Sequence, residues 1–230
     1  MIGAAIPICE KDSVYLDTLL PEIERMGVDV AWLANNCSEK TVDKLKRFKR
    51  TISVDVHDGS FNNCMRQYPL DALKKAGYEW MLQWDADETW EKFAPGKLRR
   101  LLKDQKMITV RMAHVWEMED GRYVTMDWST ERDRIYNLKY SWVYNSAVTA
   151  GPTCLDEEVK NGYPENVWMI HWGYSTDEKR KSHKIRWDTN HGRSIGKNPY
   201  GQWNTITEEG YVPNLVSYEQ FQRQLEKIMV

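Results

Sequence analysis

The stretch "NNCMRQYPLDALKKAGYEWMLQWDADE", residues 62–88, runs from a helical pattern into an apolar run that stops at a group of acids. Leu70 and Leu73 stand at helical spacing, and Pro69 predicts a kink or a restart within residues 62–77. Residues 78–84, "YEWMLQW", then read as a buried strand, which ends at Asp85, Asp87 and Glu88. A helix feeding a buried strand is the repeating unit of a parallel sheet. The open question is why such a strand ends in three carboxylates.

Working outward, the same unit recurs. Strands are expected at residues 2–8, 28–34 and 51–56, and helices at 13–27 and 38–48, with Gly27 as a stop and Ser38 to Thr41 as a start. Residues 78–84 become the fourth strand, 97–103 a short helix and 106–113 a further strand. The fold class that follows is α/β: a mainly parallel central sheet with helices on both faces and a smaller mixed C-terminal region. In such sheets ligands sit beyond the carboxyl ends of the strands, where strand order reverses. After residue 114 the rhythm changes. "EDGR" at 119–122 predicts a hairpin turn, 132–150 read as strands and loops, and 176–190 as a basic helix. Without repeats or a linker, residues 1–230 are expected to form one domain, with a first half at 1–113 and a second at 114–230.

The chain holds 32 basic and 34 acidic residues, a net charge of −2, which gives no global drive toward nucleic acid or anionic membrane. No stretch reaches the roughly 18 apolar residues of a membrane helix, so no membrane insertion is expected. The opening "MIGAAIPICEKD" lacks a basic leader with a long apolar region, and Cys9, Cys37, Cys64 and Cys154 form no C-x-x-C pair. Reduced thiols in a cytoplasmic protein are expected. Eleven Trp and twelve Tyr stand against four Phe, so aromatic rings with a polar handle are abundant. They serve either as core mass or as stacking surfaces.

Carboxylates at i and i+2 in a turn, here Asp85 and Asp87, can aim at one hard cation such as Mn²⁺ or Mg²⁺, which in turn can neutralise a diphosphate. With sixteen Asp in the chain, chance supplies about one such spacing. The weight therefore lies in its place at the end of a predicted parallel strand.

Taken together, "PIC" at 7–9 followed by Glu10, the polar turn "ANNCSEKT" after the second strand, and the segment "DGSFNNCMRQYPLDALKKAGYEWMLQWDADE" resemble the nucleotide-sugar glycosyltransferases of the GT-A fold, family 2-like. The resemblance covers residues 2–113 in order and spacing and 114–190 more loosely. It implies a transferase that moves a sugar from a nucleotide-sugar donor to an acceptor hydroxyl with a divalent metal as cofactor. It assigns Pro7 and Glu10 to the nucleobase and ribose, Asn35 to the base, Arg66 to the nucleotide, Asp85 to ribose and metal, and Asp87 to the metal. Asn35 stands where the family usually has an acid, so the identity of the base is open. "VWMIHWGYSTDEKRKSHKIRW" resembles the family's late segment, in which His171 would complete the metal site. Asp156 and Glu157, in "CLDEEV", are the nominees for general base, with Glu158 behind them.

The acceptor is not legible. Trp116, Trp128 and Trp142 offer stacking surfaces for a sugar or an extruded base, and the basic stretch 179–197 leaves DNA as a possible partner. Two other functions compete. A nucleotidyltransferase would want glycines in the loop after the first strand, and "PICEKDSVY" has none. A non-catalytic binding module would use the Trp residues without turnover.

Overall fold

The computed structural model describes residues 1–102, 105–118, 120–145, 151–156, 166–172 and 215–227. They divide into two compact units, Met1–Arg111 with Glu131–Trp168, and Met112–Thr130 with Met169–Val230.

The first unit opens with the predicted alternation: β1 (Ile2–Cys9), α1 (Leu16–Met26), β2 (Asp29–Asn35), α2 (Glu39–Arg47), β3 (Thr51–His57), α3 (Gln67–Lys75) and β4 (Trp80–Gln83). Each helix forms for a local reason. In α1, Leu16, Leu19, Ile23 and Met26 make one buried stripe, and Gly27 ends the helix at φ 70°. In α2 the Ser38 hydroxyl accepts from the Thr41 N–H at 3.3 Å, and Lys44, Lys46 and Arg47 occupy the last turn. Residues 63–66 form a 3₁₀ turn, and α3 restarts at Gln67. Pro69 then falls in its first turn, where an N–H would be unsatisfied anyway.

The strand order is β3-β2-β1-β4, with β1 parallel to both β2 and β4. Right-handed crossovers from β1 to β2 to β3 place α1 and α2 on one face, and the return from β3 to β4 places α3 on the other. The burial pattern agrees: β2 is buried at every position after Asp29, as a strand covered on both faces must be. Ala5, Ala31 and Met81 pack with Leu70 and Leu73 of α3. Strand order reverses between β1 and β4, so the ligand-binding crevice of this topology lies at their carboxyl ends.

Beyond β4 come β5 (Glu88–Trp90), α4 (Ala94–Leu101), β6 (Met107–Met118), β7 (Gly121–Asn137), β8 (Trp142–Val143), β9 (Thr153–Cys154) and β10 (Trp168–His171). The sheet continues from β4 in the order β7-β6-β10-β5, and β7 runs antiparallel to β4. β6 and β7 are neighbours in the sheet, as the hairpin predicted at 119–122 requires. The short helix is displaced, starting at Ala94 rather than residue 97. In the second unit, β11 (Leu215–Ser217) pairs antiparallel with Tyr123–Thr125 of β7, and α5 (Tyr218–Lys227) buries Phe221 and Leu225. The expected basic helix at 176–190 and the basic stretch at 179–197 lie outside the described residues. Among the described residues no helix is long and apolar enough to cross a membrane.

Candidate functional site

The acids that end β4 form one tight turn. The Glu88 N–H donates to the Asp85 carbonyl at 3.1 Å, and the Asp85 N–H donates back to the Glu88 carboxylate at 3.0 Å. Trp84, fully buried, donates its indole N–H to the Glu88 carbonyl at 2.9 Å. The turn starts β5 at Glu88, so the acid that the sequence left without a role becomes a buried strand residue at 2% exposure. Asp87 lies half-buried in the middle of the turn.

Two guanidinium groups hold these carboxylates. Arg66 Nη2 donates to Asp85 Oδ1 at 2.8 Å, and Arg134 Nη2 donates to Asp85 Oδ2 at 3.3 Å. Arg134 Nη2 also donates to Glu88 Oε1. Two positive and two negative charges thus make a neutral quartet, in which the Arg134 and Glu88 side chains are 5% and 1% exposed. Burial alone would pull both guanidinium pKa values down, but the neighbouring carboxylates outweigh it and hold both above the ordinary value. Each guanidinium nevertheless keeps a buried N–H group with no hydrogen-bond partner: Arg66 Nη1 and Arg134 Nε.

The elements explain the convergence. Arg66 ends the 3₁₀ turn before α3. Arg134 comes from β7, whose register on β4 pairs Trp80 with Asn137 and Leu82 with Ile135. One residue past that last pair stand Gln83 and Arg134. β5 is fixed from the other side by α1: Glu22 accepts from the Trp90 N–H at 2.9 Å, and Arg25 donates to the carbonyls of Trp90, Glu91 and Lys92. Sequence reading missed Arg134, because an antiparallel register between segments about fifty residues apart leaves no local mark.

The other strand ends behave differently. Asn35 closes β2 at 5% exposure; its Nδ2 donates to the Gly59 carbonyl at 3.3 Å, while its Oδ1 is buried without a partner. Asn36, at φ 50°, and Gly59, at φ 105°, exchange two hydrogen bonds that tie the loops after β2 and β3 together. Pro7 sits on β1, paired with Leu33. Glu10 follows β1, and its carboxylate accepts from the Ser38 N–H at 2.7 Å and from the Ser38 and Thr41 hydroxyls. That fixes the start of α2 and holds the Glu10 pKa below the ordinary carboxylate value, the Ser38 N–H being the main cause.

His171 belongs to the second unit. Its Nδ1 lies 2.9 Å from Nδ1 of His114, both rings are buried, and they meet edge to face. Asp156, in the first unit, is exposed and accepts from the Ser141 N–H, which lowers its pKa. Glu157 and Glu158 lie outside the described residues. Trp116 and Trp128 lie on β6 and β7. Trp142 is no stacking surface: it is 2% exposed, packs edge to face on Tyr136 and donates to the Asn137 carbonyl at 2.7 Å.

The D-x-D spacing predicts a divalent cation, and at Asp85 such a cation would meet a carboxylate already bonded to two guanidinium groups. Each Asp85 oxygen already accepts from a guanidinium group, so a cation there would share the carboxylate with two positive charges. Among the described residues, no group of three or more His, Cys, Asp or Glu side chains is arranged to hold a metal ion.

No protein-family profile and no curated protein matches the chain. Among solved structures it is similar to residues 1–349 of TarS from S. aureus, at 13% identity and a TM-score of 0.38, over 60% of this chain and 47% of that one. It is similar to HddC from Yersinia pseudotuberculosis, at 12% identity and a TM-score of 0.41, over 81% of this chain and 100% of that one. It is also similar to 4-diphosphocytidyl-2C-methyl-D-erythritol synthase from Anaerococcus prevotii DSM 20548, at 13% identity and a TM-score of 0.27, over 100% and 96%. The match spans about half the length of the TarS fragment. At these values no activity transfers to this chain.

Proposed function

We propose that this chain is a transferase that binds a nucleotide-sugar at the carboxyl ends of β1, β2 and β4 and passes the sugar to an acceptor hydroxyl. The observation that carries the reading is Asn35 Oδ1, a buried acceptor with no partner at the end of β2. A buried polar atom without a partner costs free energy, and a ligand N–H would repay it. Nucleobases carry such groups on their edges, and Asn35 reads one while its Nδ2 stays tied to Gly59.

In this reading the acceptor oxygen bonds to the anomeric carbon as the bond from that carbon to the diphosphate oxygen breaks. The diphosphate leaves with the bonding pair, and the hydroxyl proton passes to a carboxylate, for which Asp156 and Glu157 are the nominees. The low pKa of Asp156 makes it a weak base, so its role is tested directly by Asp156→Asn.

Thermal shift with UDP, GDP, CDP and TDP and their sugars tests the donor half, since a specific ligand raises Tm by mass action. One nucleotide is expected to stand out, and Asn35→Leu is expected to abolish the distinction. A flat panel would remove the reading. Pyrophosphate release from a nucleoside triphosphate and a sugar phosphate would replace it with nucleotidyl transfer.

A further inference from the structure

We infer that the acids ending β4 serve to aim Arg66 and Arg134 at a diphosphate, so that donor binding at this site needs no divalent cation. The inference rests on the nucleotide-sugar reading above and specifies which charge meets the phosphates.

A cation-binding pair of carboxylates offers lone pairs to solvent or to a ligand. Here each carboxylate already serves arginine: Asp85, 29% exposed, accepts on both oxygens from guanidinium groups, and Glu88 accepts from Arg134 and from the Asp85 N–H, so a cation would have to share them with two positive charges. The quartet also holds unspent donors. Arg66 Nη1 and Arg134 Nε are buried and unpaired, one on each guanidinium. Unspent N–H groups call for an acceptor oxygen, and a guanidinium is matched in shape and charge to phosphate. The two arginines come from different elements, the turn before α3 and strand β7, and both bond Asp85. Asp85 therefore sets their spacing, and Glu88 fixes Arg134 from the other side.

A route to the quartet exists on the Arg66 side. Its side chain keeps 15% exposure, and Phe61, 44% exposed, lies over the guanidinium with its ring centre 5.7 Å away. Phe61 belongs to the loop after β3, at the carboxyl end of the sheet, where this topology receives ligands. A phosphate entering there meets Arg66 first and Arg134 behind it.

The test is calorimetric titration of the protein with the nucleoside diphosphate selected by the thermal-shift panel, once in EDTA and once in Mn²⁺. The expected Kd values agree within about threefold. Arg66→Lys keeps a charge beside Asp85 but loses the second donor, and is expected to weaken binding about tenfold in EDTA. Arg134→Gln with Glu88→Gln keeps the buried charge balanced and is expected to weaken it at least as much, with a cooperative thermal transition retained as proof of folding. Binding that tightens more than about threefold with Mn²⁺ overturns the inference and leaves the nucleotide-sugar reading standing. Wild-type affinity in Arg66→Lys overturns it as well. Absence of binding in both buffers overturns inference and reading together.

Discussion

Arg134 and Glu88 form an ion pair that is buried on both sides, with side-chain exposures of 5% and 1%, between residues 46 positions apart. Breaking such a pair from one side strands a charge in a medium of low polarity. Arg134→Met and Glu88→Gln are each expected to cost about 3–5 kcal/mol. The double variant is expected to cost less than the sum by about 1–3 kcal/mol. Urea denaturation of the four proteins measures the coupling, and strict additivity would mean that the pair contributes nothing of its own.

Trp142 illustrates what aromatic abundance does not reveal. Trp142→Ala is expected to lose about 3–5 kcal/mol, the usual cost of emptying a large core site, since the ring packs on Tyr136 and caps the Asn137 carbonyl. Nucleotide affinity, measured where the variant remains folded, is expected to stay at the wild-type value. A variant of normal stability with weakened binding would return Trp142 to the ligand surface.

The four free thiols separate by burial. Burial first, and Asp12 second, push Cys9 up to about 11; burial and the charge of Glu10 push Cys37 up to about 11. At pH 8 each is ionised to about one part in a thousand. Cys64 is exposed. Iodoacetamide at pH 8 is expected to label Cys64 well before Cys9 or Cys37, as read by peptide mass spectrometry. Early labelling of Cys9 would show that the first loop opens.

Glu10 gives a pH dependence of definite sign. Its folded pKa lies below the ordinary 4.5, so its capping bonds stabilise the protein above that pH and are lost as pH falls through the depressed value. Glu10→Gln is expected to have a lower Tm than wild type at pH 7, and the gap is expected to close as pH falls below the ordinary carboxylate range. A gap that is constant with pH would assign the stability to packing of the side chain instead.

The sheet was legible because its evidence is local. Apolar runs, Gly27 as a stop and Ser38 as a start each act within a few residues, and the parallel order follows from their alternation. Pro69 announced the restart that sets Arg66 at the head of α3. The candidate site was legible only in its acidic half. Asp85 stands where a strand had to end, but its partners depend on a pairing between β4 and β7 that no short window contains. The surroundings of Asp85 were hidden for the same reason: the D-x-D spacing is visible, and the arginine that bonds one of its oxygens is not. Glu10 is the converse case: the start of α2 at Ser38 was legible, and the carboxylate 28 residues upstream that supports it was not.

The pairing of β7 with β4 also has a consequence in time. During synthesis Asp85 leaves the ribosome 49 residues ahead of Arg134. At the usual pace of translation that interval is several seconds, long compared with the formation of a helix or a turn. Through it the nascent first half carries β4 with an open edge and Glu88 without its counter-charge. The carboxylates remain hydrated and hold that edge in water until β7 arrives. Two acids that arginines neutralise in the finished protein thus also guard its unfinished form against pairing with the wrong strand.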